Sequence, residues 1–180
     1  MRLRGACLRL PVTEPTSLIE SIFWDCLGHK HYTRLEGGAA EPEYFPADTA
    51  ASRPARIVYR QNFIASAFHE VAHWCIAGAQ RRKQADFGYW YEGDGRDQQA
   101  QGRFLQVEVR PQAVESFFHA AWGSTFHPSL DNLHGPAGDV RAFAQAIADE
   151  RQRLQRQCLP PRAAIFAQAL ANAPQGDSKP

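Results

Sequence analysis

Several things are scarce in this chain of 180 residues, and each scarcity removes a class of protein. The four cysteines, Cys7, Cys26, Cys75 and Cys158, lie far apart with no CxxC pair, which argues against both a disulfide framework and a thiolate metal cluster. Charge of one sign is not in excess: the formal net charge is +1, so no strong field favours nucleic acid or an anionic membrane. No apolar run approaches the roughly 18 to 20 residues that span a bilayer. The basic opening MRLRGACLRLPV has Arg4 and Arg9 breaking its apolar residues, so it lacks the h-region of a signal peptide and is expected to be a variable extension over residues 1–15. Internal repeats and interdomain linkers are also missing. The expectation is one cytoplasmic α+β domain over residues 16–172, with a disordered tail at 173–180.

What is present is a patterned chain. Ser17 and Glu20 have the spacing of a capping box before LIESIFWDCL, with Leu18, Ile22 and Cys26 as the expected buried stripe. EYF is a possible short strand, and RIVYR, at 56–60, alternates and is β-branched, as a strand should be. Asn62 is placed to cap a helix that fades near Gly78–Arg82, after which DFGYWY reads as a strand and EGDG as a turn. A second helix is expected from about Val114 to Trp122, which Pro111 either begins or kinks. Asp139–Gln157 and PRAAIFAQALANA supply two more helices. Cys75, inside the first long helix, is read as a small buried apolar residue.

That helix carries HEVAH, His69 to His73. Residues four apart share a helix face, so His69 and His73 can aim two imidazoles at one ion, the geometry of HExxH. Chance alone would produce the pattern roughly 0.015 times in a chain of this composition. The continuation WCIAGAQRR has no third histidine, so a carboxylate from Asp86, Asp94, Asp97, Glu108 and Glu115 has to complete the set. Glu108, an acid between Val107 and Val109, is the first choice and Glu115 the second; spacing does not decide between them. Two histidines and a carboxylate suit either zinc, with Glu70 as general base of a peptidase, or ferrous iron as a facial triad open to dioxygen and substrate. Seen alone, the motif leans to the peptidase.

The longer block RIVYRQNFIASAFHEVAHWCIAGAQRRKQADFGYWYEGDGRDQQAQ, continuing to FLQVEVRPQA and preceded by EPEYFPAD, resembles the elongation factor P hydroxylase family. The similarity runs from about Glu41 to Ala113 and thins toward Ser17 and the C-terminus. It implies a zincin-like fold, with the motif helix beside a small sheet, and a non-haem iron hydroxylase that oxidises the (β-lysyl)lysine of translation elongation factor P. It further implies His69, His73 and Glu108 as metal ligands, Fe(II) as cofactor (with zinc able to occupy the same set on isolation) and dioxygen as co-substrate. No pattern for a 2-oxoglutarate enzyme is present, so the electron donor is left open. Glu70 is then expected to orient a metal-bound water or hold a ligand.

A long cationic substrate side chain suits a groove with aromatic walls and acidic ends. Phe87, Tyr89, Trp90 and Tyr91 with Asp94 and Asp97 are the candidates, Tyr89, Tyr91, Asp94 and Asp97 foremost. Arg81, Arg82 and Lys83 can dock an acidic partner surface or simply end the motif helix. His119, His127 and His134 are read as surface or structural residues, with His127 able to approach the site. The two rival readings are a zinc metallopeptidase and an inactive module that only binds a protein partner.

Overall fold

The computed structural model describes residues 15–88, 95–132, 134 and 138–174. Of the extension expected over residues 1–15 only Pro15 is among them, where it opens a helix, and of the tail expected over 173–180 residues 175–180 lie outside them. Helix α1 opens with Pro15 at its first turn, runs to Phe23, widens into a π turn over Trp24–Gly28 and finishes at His29–His31. Its buried stripe is Ile19, Phe23 and Leu27, one position on from the expected Leu18, Ile22 and Cys26, which are only half-buried. The capping box is also corrected. Because the helix starts at Pro15, Ser17 is already inside it, and Glu20 turns to the sheet to accept from Gly37 N (3.0 Å) and Tyr59 Oη (2.8 Å). A Cβ on Gly28 would sit 2.7 Å from Thr33 O, so the close turn from α1 into the first strand requires glycine there.

Strands β1 (Thr33–Ala39), β2 (Glu43–Phe45) and β3 (Ala55–Arg60) form one sheet of order β1-β3-β2. The central β3 runs parallel to β1, with Leu35 opposite Ile57, and antiparallel to β2, with Tyr44 opposite Ile57. Alternation along β3 buries Ala55, Ile57 and Tyr59 on the helical side. The glycine-rich β1 was not expected. Its register shifts between Glu36 and Ala39, and a Cβ on Gly37 would meet the Tyr59 ring at 2.6 Å.

Helix α2 (Ile64–Ile76) carries the motif. Its cap is Phe63, in extended conformation and with no side-chain bond, rather than Asn62; Ser66 Oγ instead accepts from Arg60 N (2.9 Å), tying the helix to the end of β3. At the other end Arg162 donates to the carbonyls of Trp74, Cys75 and Ala77 at 3.0, 3.0 and 2.6 Å, and Arg82 donates to Ala77 O at 2.5 Å. These cations satisfy orphan carbonyls at the negative pole of the helix. Arg82 thus serves the helix end.

No strand exists at residues 86–88. Asp86 and Phe87 adopt left-handed conformations in a short turn over Ala85–Gly88, and the rest of DFGYWY lies outside the described residues. Tertiary contacts override the aromatic β-propensity: Phe87 stacks on Tyr44 at 4.1 Å, and Asp86 accepts from Tyr44 N at 2.8 Å.

Helix α3 (Gln98–Trp122) starts sixteen residues before the expected Val114, so Pro111 is interior to it. Asp97 caps it by accepting from Ala100 N (2.8 Å), and Gly123, left-handed at φ 81°, ends it. Helices α4 (Val140–Gln157) and α5 (Pro161–Ala171) follow as expected, α4 capped by Asp139. One core joins the helices to the sheet. At its centre Phe23 meets Trp74 edge-on (5.3 Å), and Phe118 meets Phe166 (5.0 Å), with Phe68 against both phenylalanines of that second pair. The described residues form a single α+β domain of five helices on a small three-stranded sheet. No described helix is long and apolar enough to cross a membrane.

Candidate metal centre

The apolar faces of α2 fix the motif. Phe68, Val71, Ala72, Trp74 and Cys75 are buried, which rotates His69 and His73 together toward α3. Their rings lie 4.7 Å apart, and the two Nε2 atoms face each other at 3.1 Å. Glu108, 2 % exposed, completes the group: Oε2 is 3.3 Å from His69 Nε2, and Oε1 is 3.3 Å from His73 Nε2. One donor atom from each residue falls within 4.8 Å of the others.

The chemistry of this set suits a divalent cation. Two imidazole nitrogens and a carboxylate converge on one point, and Glu108 Oε2 is buried with no hydrogen-bond donor, an arrangement costly for a protein unless a cation serves it. The electrostatics point the same way. Burial alone would raise the Glu108 carboxyl, yet the His73 and His69 imidazoles hold it well below the ordinary carboxylate range. Burial alone would lower His69, but Glu108 and Glu115 lift it well above its ordinary value. Glu70 goes up because burial outweighs the two histidines.

Glu115, the second choice of ligand, stands behind the histidine. Its Oε2 is 2.9 Å from His69 Nδ1, the nitrogen that faces away from the cluster, and its Oε1 is 3.4 Å from His119 Nε2. Of the surface and structural roles expected for it, His119 takes the structural one: it is buried, and its Nδ1 lies 2.7 Å from Ser124 Oγ. Together Gln101, Glu108, Gln112, Glu115 and His119 form a buried polar stripe down one face of α3. Gln112 exchanges bonds with Ser129 (2.7 and 3.0 Å) and Gln101 donates to Leu130 O (2.7 Å), which folds the chain after α3 back along the stripe.

Two adjoining cavities, of about 240 and 300 Å³, open onto the cluster and share His69, Glu70, Phe104, Glu108 and Asp131 in their walls. The first is closed by Phe87, which lies parallel to the His73 ring at 6.5 Å, and by Arg96; the second reaches Glu115 and His127. Glu70 therefore lies beside the cluster. Asp97 caps α3 on the surface and lines neither cavity, while Tyr89, Tyr91 and Asp94 lie outside the described residues. Sequence reasoning passed over Phe104, Arg96 and Asp131. Arg96 is 4 % exposed, spans the Phe104 ring at 3.8 Å and donates to Gln101 Oε1 (2.8 Å) and to Asp131 O. A charged residue directly after the sequence Gly-Asp-Gly carries no local sign that it is buried.

The sequence pattern of the family described as Elongation factor P hydroxylase matches residues 22–178. The chain belongs to that family. A relative from Haemophilus influenzae, named Elongation factor P lysine hydroxylase, is 43% identical over 152 residues, 84% of this chain and 85% of the relative. The family match extends past the block that carried the resemblance and takes in α4 and α5, which wall the core behind α3.

Proposed function

We propose that this protein is a ferrous-iron-dependent hydroxylase of the (β-lysyl)lysine side chain of elongation factor P, acting in the cytoplasm through a domain spanning residues 16–172. One observation carries the reading: in a chain of this family, two imidazole Nε2 atoms and the buried, hydrogen-bond-deficient carboxylate of Glu108 meet at the floor of an open cleft. His69, His73 and Glu108 would hold the ion. Iron, when bound, supplies the redox chemistry with dioxygen that no side chain can provide for an unactivated C–H bond. Zinc fits the same donors and is the ion to expect in protein isolated without care for iron.

The protein's own part is positioning. Phe87 and Phe104 offer apolar walls to the methylene stem of a lysine, and Glu43, Asp86 and Asp131 place negative charge near its ammonium end. Tyr89, Tyr91, Asp94 and Asp97 are proposed as further contacts to the incoming substrate; Asp97 has one carboxylate oxygen already engaged by its helix. Glu70 lines both cavities beside His69, where it can hold a proton or orient water. An external reductant supplies the electrons.

The test is intact mass. β-Lysylated elongation factor P, incubated with the iron-loaded protein, air and a reductant, should gain one oxygen atom. A zinc-loaded protein that leaves the factor's mass unchanged but cleaves peptides would establish the metallopeptidase reading, with Glu70 as base.

A further inference from the structure

We propose that Glu115 is the positioning residue of the centre, the carboxylate that fixes the His69 ring so that its Nε2 lone pair faces the ion; this rests on the metal-dependent reading above. A neutral imidazole carries one N–H and one lone pair. An ionised carboxylate only accepts, so Glu115 Oε2 at 2.9 Å from Nδ1 selects the tautomer with the proton on Nδ1. The lone pair is then on Nε2, the atom 3.1 Å from His73 Nε2 and 3.3 Å from Glu108. On its other side Glu115 faces a second histidine, at ion-pair rather than hydrogen-bond distance. His119 Nε2 lies 3.4 Å from its other oxygen, and the His119 ring is packed edge-on against Phe68 (5.1 Å) with Nδ1 on Ser124 Oγ. Glu108 and Glu115 are seven residues apart, about 10 Å along the axis of α3. That offset lets one acid meet the ion while the other stands behind the ring. His69 thus spans the two carboxylates, one at each nitrogen, and His119 and Ser124 brace the far end.

Co(II) is a suitable probe. Titrated into the metal-free full-length chain against a chelator, it should bind once to the parent protein. Glu115→Gln, whose amide oxygen still accepts the Nδ1 proton but carries no charge, should bind about 10-fold more weakly, and Glu115→Ala about 100-fold. His119→Ala should fall between the parent and Glu115→Ala. The Co(II) absorption bands should keep their position throughout, because the ligands do not change. In protein labelled with ¹⁵N-histidine, the His69 Nδ1–H signal should be present in the parent, shifted in Glu115→Gln and lost to exchange in Glu115→Ala. Parent-like affinity and imidazole signals in Glu115→Ala would overturn the positioning role alone. Moved Co(II) bands in Glu115→Gln would also overturn it, by making Glu115 a ligand. A parent chain that binds no Co(II) would overturn the metal-dependent reading and this role with it. Should Glu115→Ala not fold, the isosteric Glu115→Gln decides.

Discussion

Helices α2 and α3 present donors to the same point, yet they hold those donors by opposite means. On α2 the residues around the histidines are apolar and buried: Phe68, Val71, Ala72 and Trp74 each have no exposed surface. Packing fixes the backbone, and the imidazoles follow. On α3 the site face is itself polar: Gln101, Glu108, Gln112, Glu115 and His119 are buried, and all but Glu108 are joined to loops or a neighbouring ring through hydrogen bonds. The first helix is thus part of the core and happens to carry the two histidines. The second sacrifices apolar burial to carry charge, which is the mark of a functional surface rather than a stabilising one.

The largest effect expected from breaking this contrast is on chemistry without loss of fold. Glu108→Gln keeps the shape of the side chain but removes the charge of the buried carboxylate whose Oε2 has no donor. Metal content and oxygen transfer to elongation factor P should fall at least 100-fold, while the metal-free protein keeps its fold but melts somewhat lower near neutral pH, because the imidazoles that hold Glu108 ionised lose their partner. Metal analysis, intact mass and a thermal melt check the three parts. A large drop in the metal-free melting temperature would mean that α3 is held by its carboxylate after all.

The mirror experiment is on α2. Phe68→Ala removes a fully buried ring that touches Phe118, Phe166, His119 and Trp122. It should cost about 3 to 5 kcal/mol of stability. Urea denaturation measures the loss, and metal affinity should fall mainly with the folded fraction, with only a small further loss from removing the ring against which His119 packs.

This contrast also decided what could be read from the sequence. The motif helix, β3, α4 and α5 showed their periods openly because their buried residues are apolar. In α3 the buried stripe is Gln, Glu and His, so hydrophobic periodicity was silent across its first half, and the helix seemed to begin near Val114. The fault lay in equating buried with apolar; the spacing 101, 108, 112, 115, 119 is helical. β1 was missed because Gly37 and Gly38 disguise a strand whose bulge needs them. The turn at Asp86–Phe87 was invisible since it depends on Tyr44, some forty residues earlier. Glu108 and Glu115 look alike locally, two acids on one helix. The apolar neighbours Val107 and Val109 made Glu108 the first choice and the family resemblance agreed, but only distances separate a residue facing the cluster from one behind it.

A smaller effect follows from pH. Without metal, His69 is raised above its ordinary value of 6.5, so its contribution to stability is complete below pH 6.5 and is lost as pH rises through the raised value. Glu115 is lowered from 4.5, so its contribution is present above pH 4.5 and lost as pH falls through the lowered value. Metal-free protein should therefore be most stable between these limits and weaken steadily above pH 6.5. A bound ion requires neutral His69, so metal affinity should rise over the same alkaline range, with proton release. Urea midpoints with and without Zn(II) at several pH values would show the two curves diverging. If they run parallel, His69 does not exchange its proton for the ion.

The smallest expected effect lies where α3 begins, and it separates a structural acid from a substrate contact. Asp97 Oδ1 accepts from Ala100 N at 2.8 Å, an N-cap that Asp97→Asn preserves and Asp97→Ala removes. As a cap alone, it is worth about 1 kcal/mol, so the alanine variant should lose that much stability and the asparagine variant almost none. Neither would then change KM for elongation factor P. The proposed contact to a cationic side chain predicts another pattern: Asp97→Asn raises KM several-fold at unchanged stability, because charge and not hydrogen bonding is what the ammonium group needs. Measuring both variants for melting temperature and KM assigns the residue. A raised KM in the asparagine variant would extend the polar logic of α3 beyond the buried stripe, to the surface that receives the substrate.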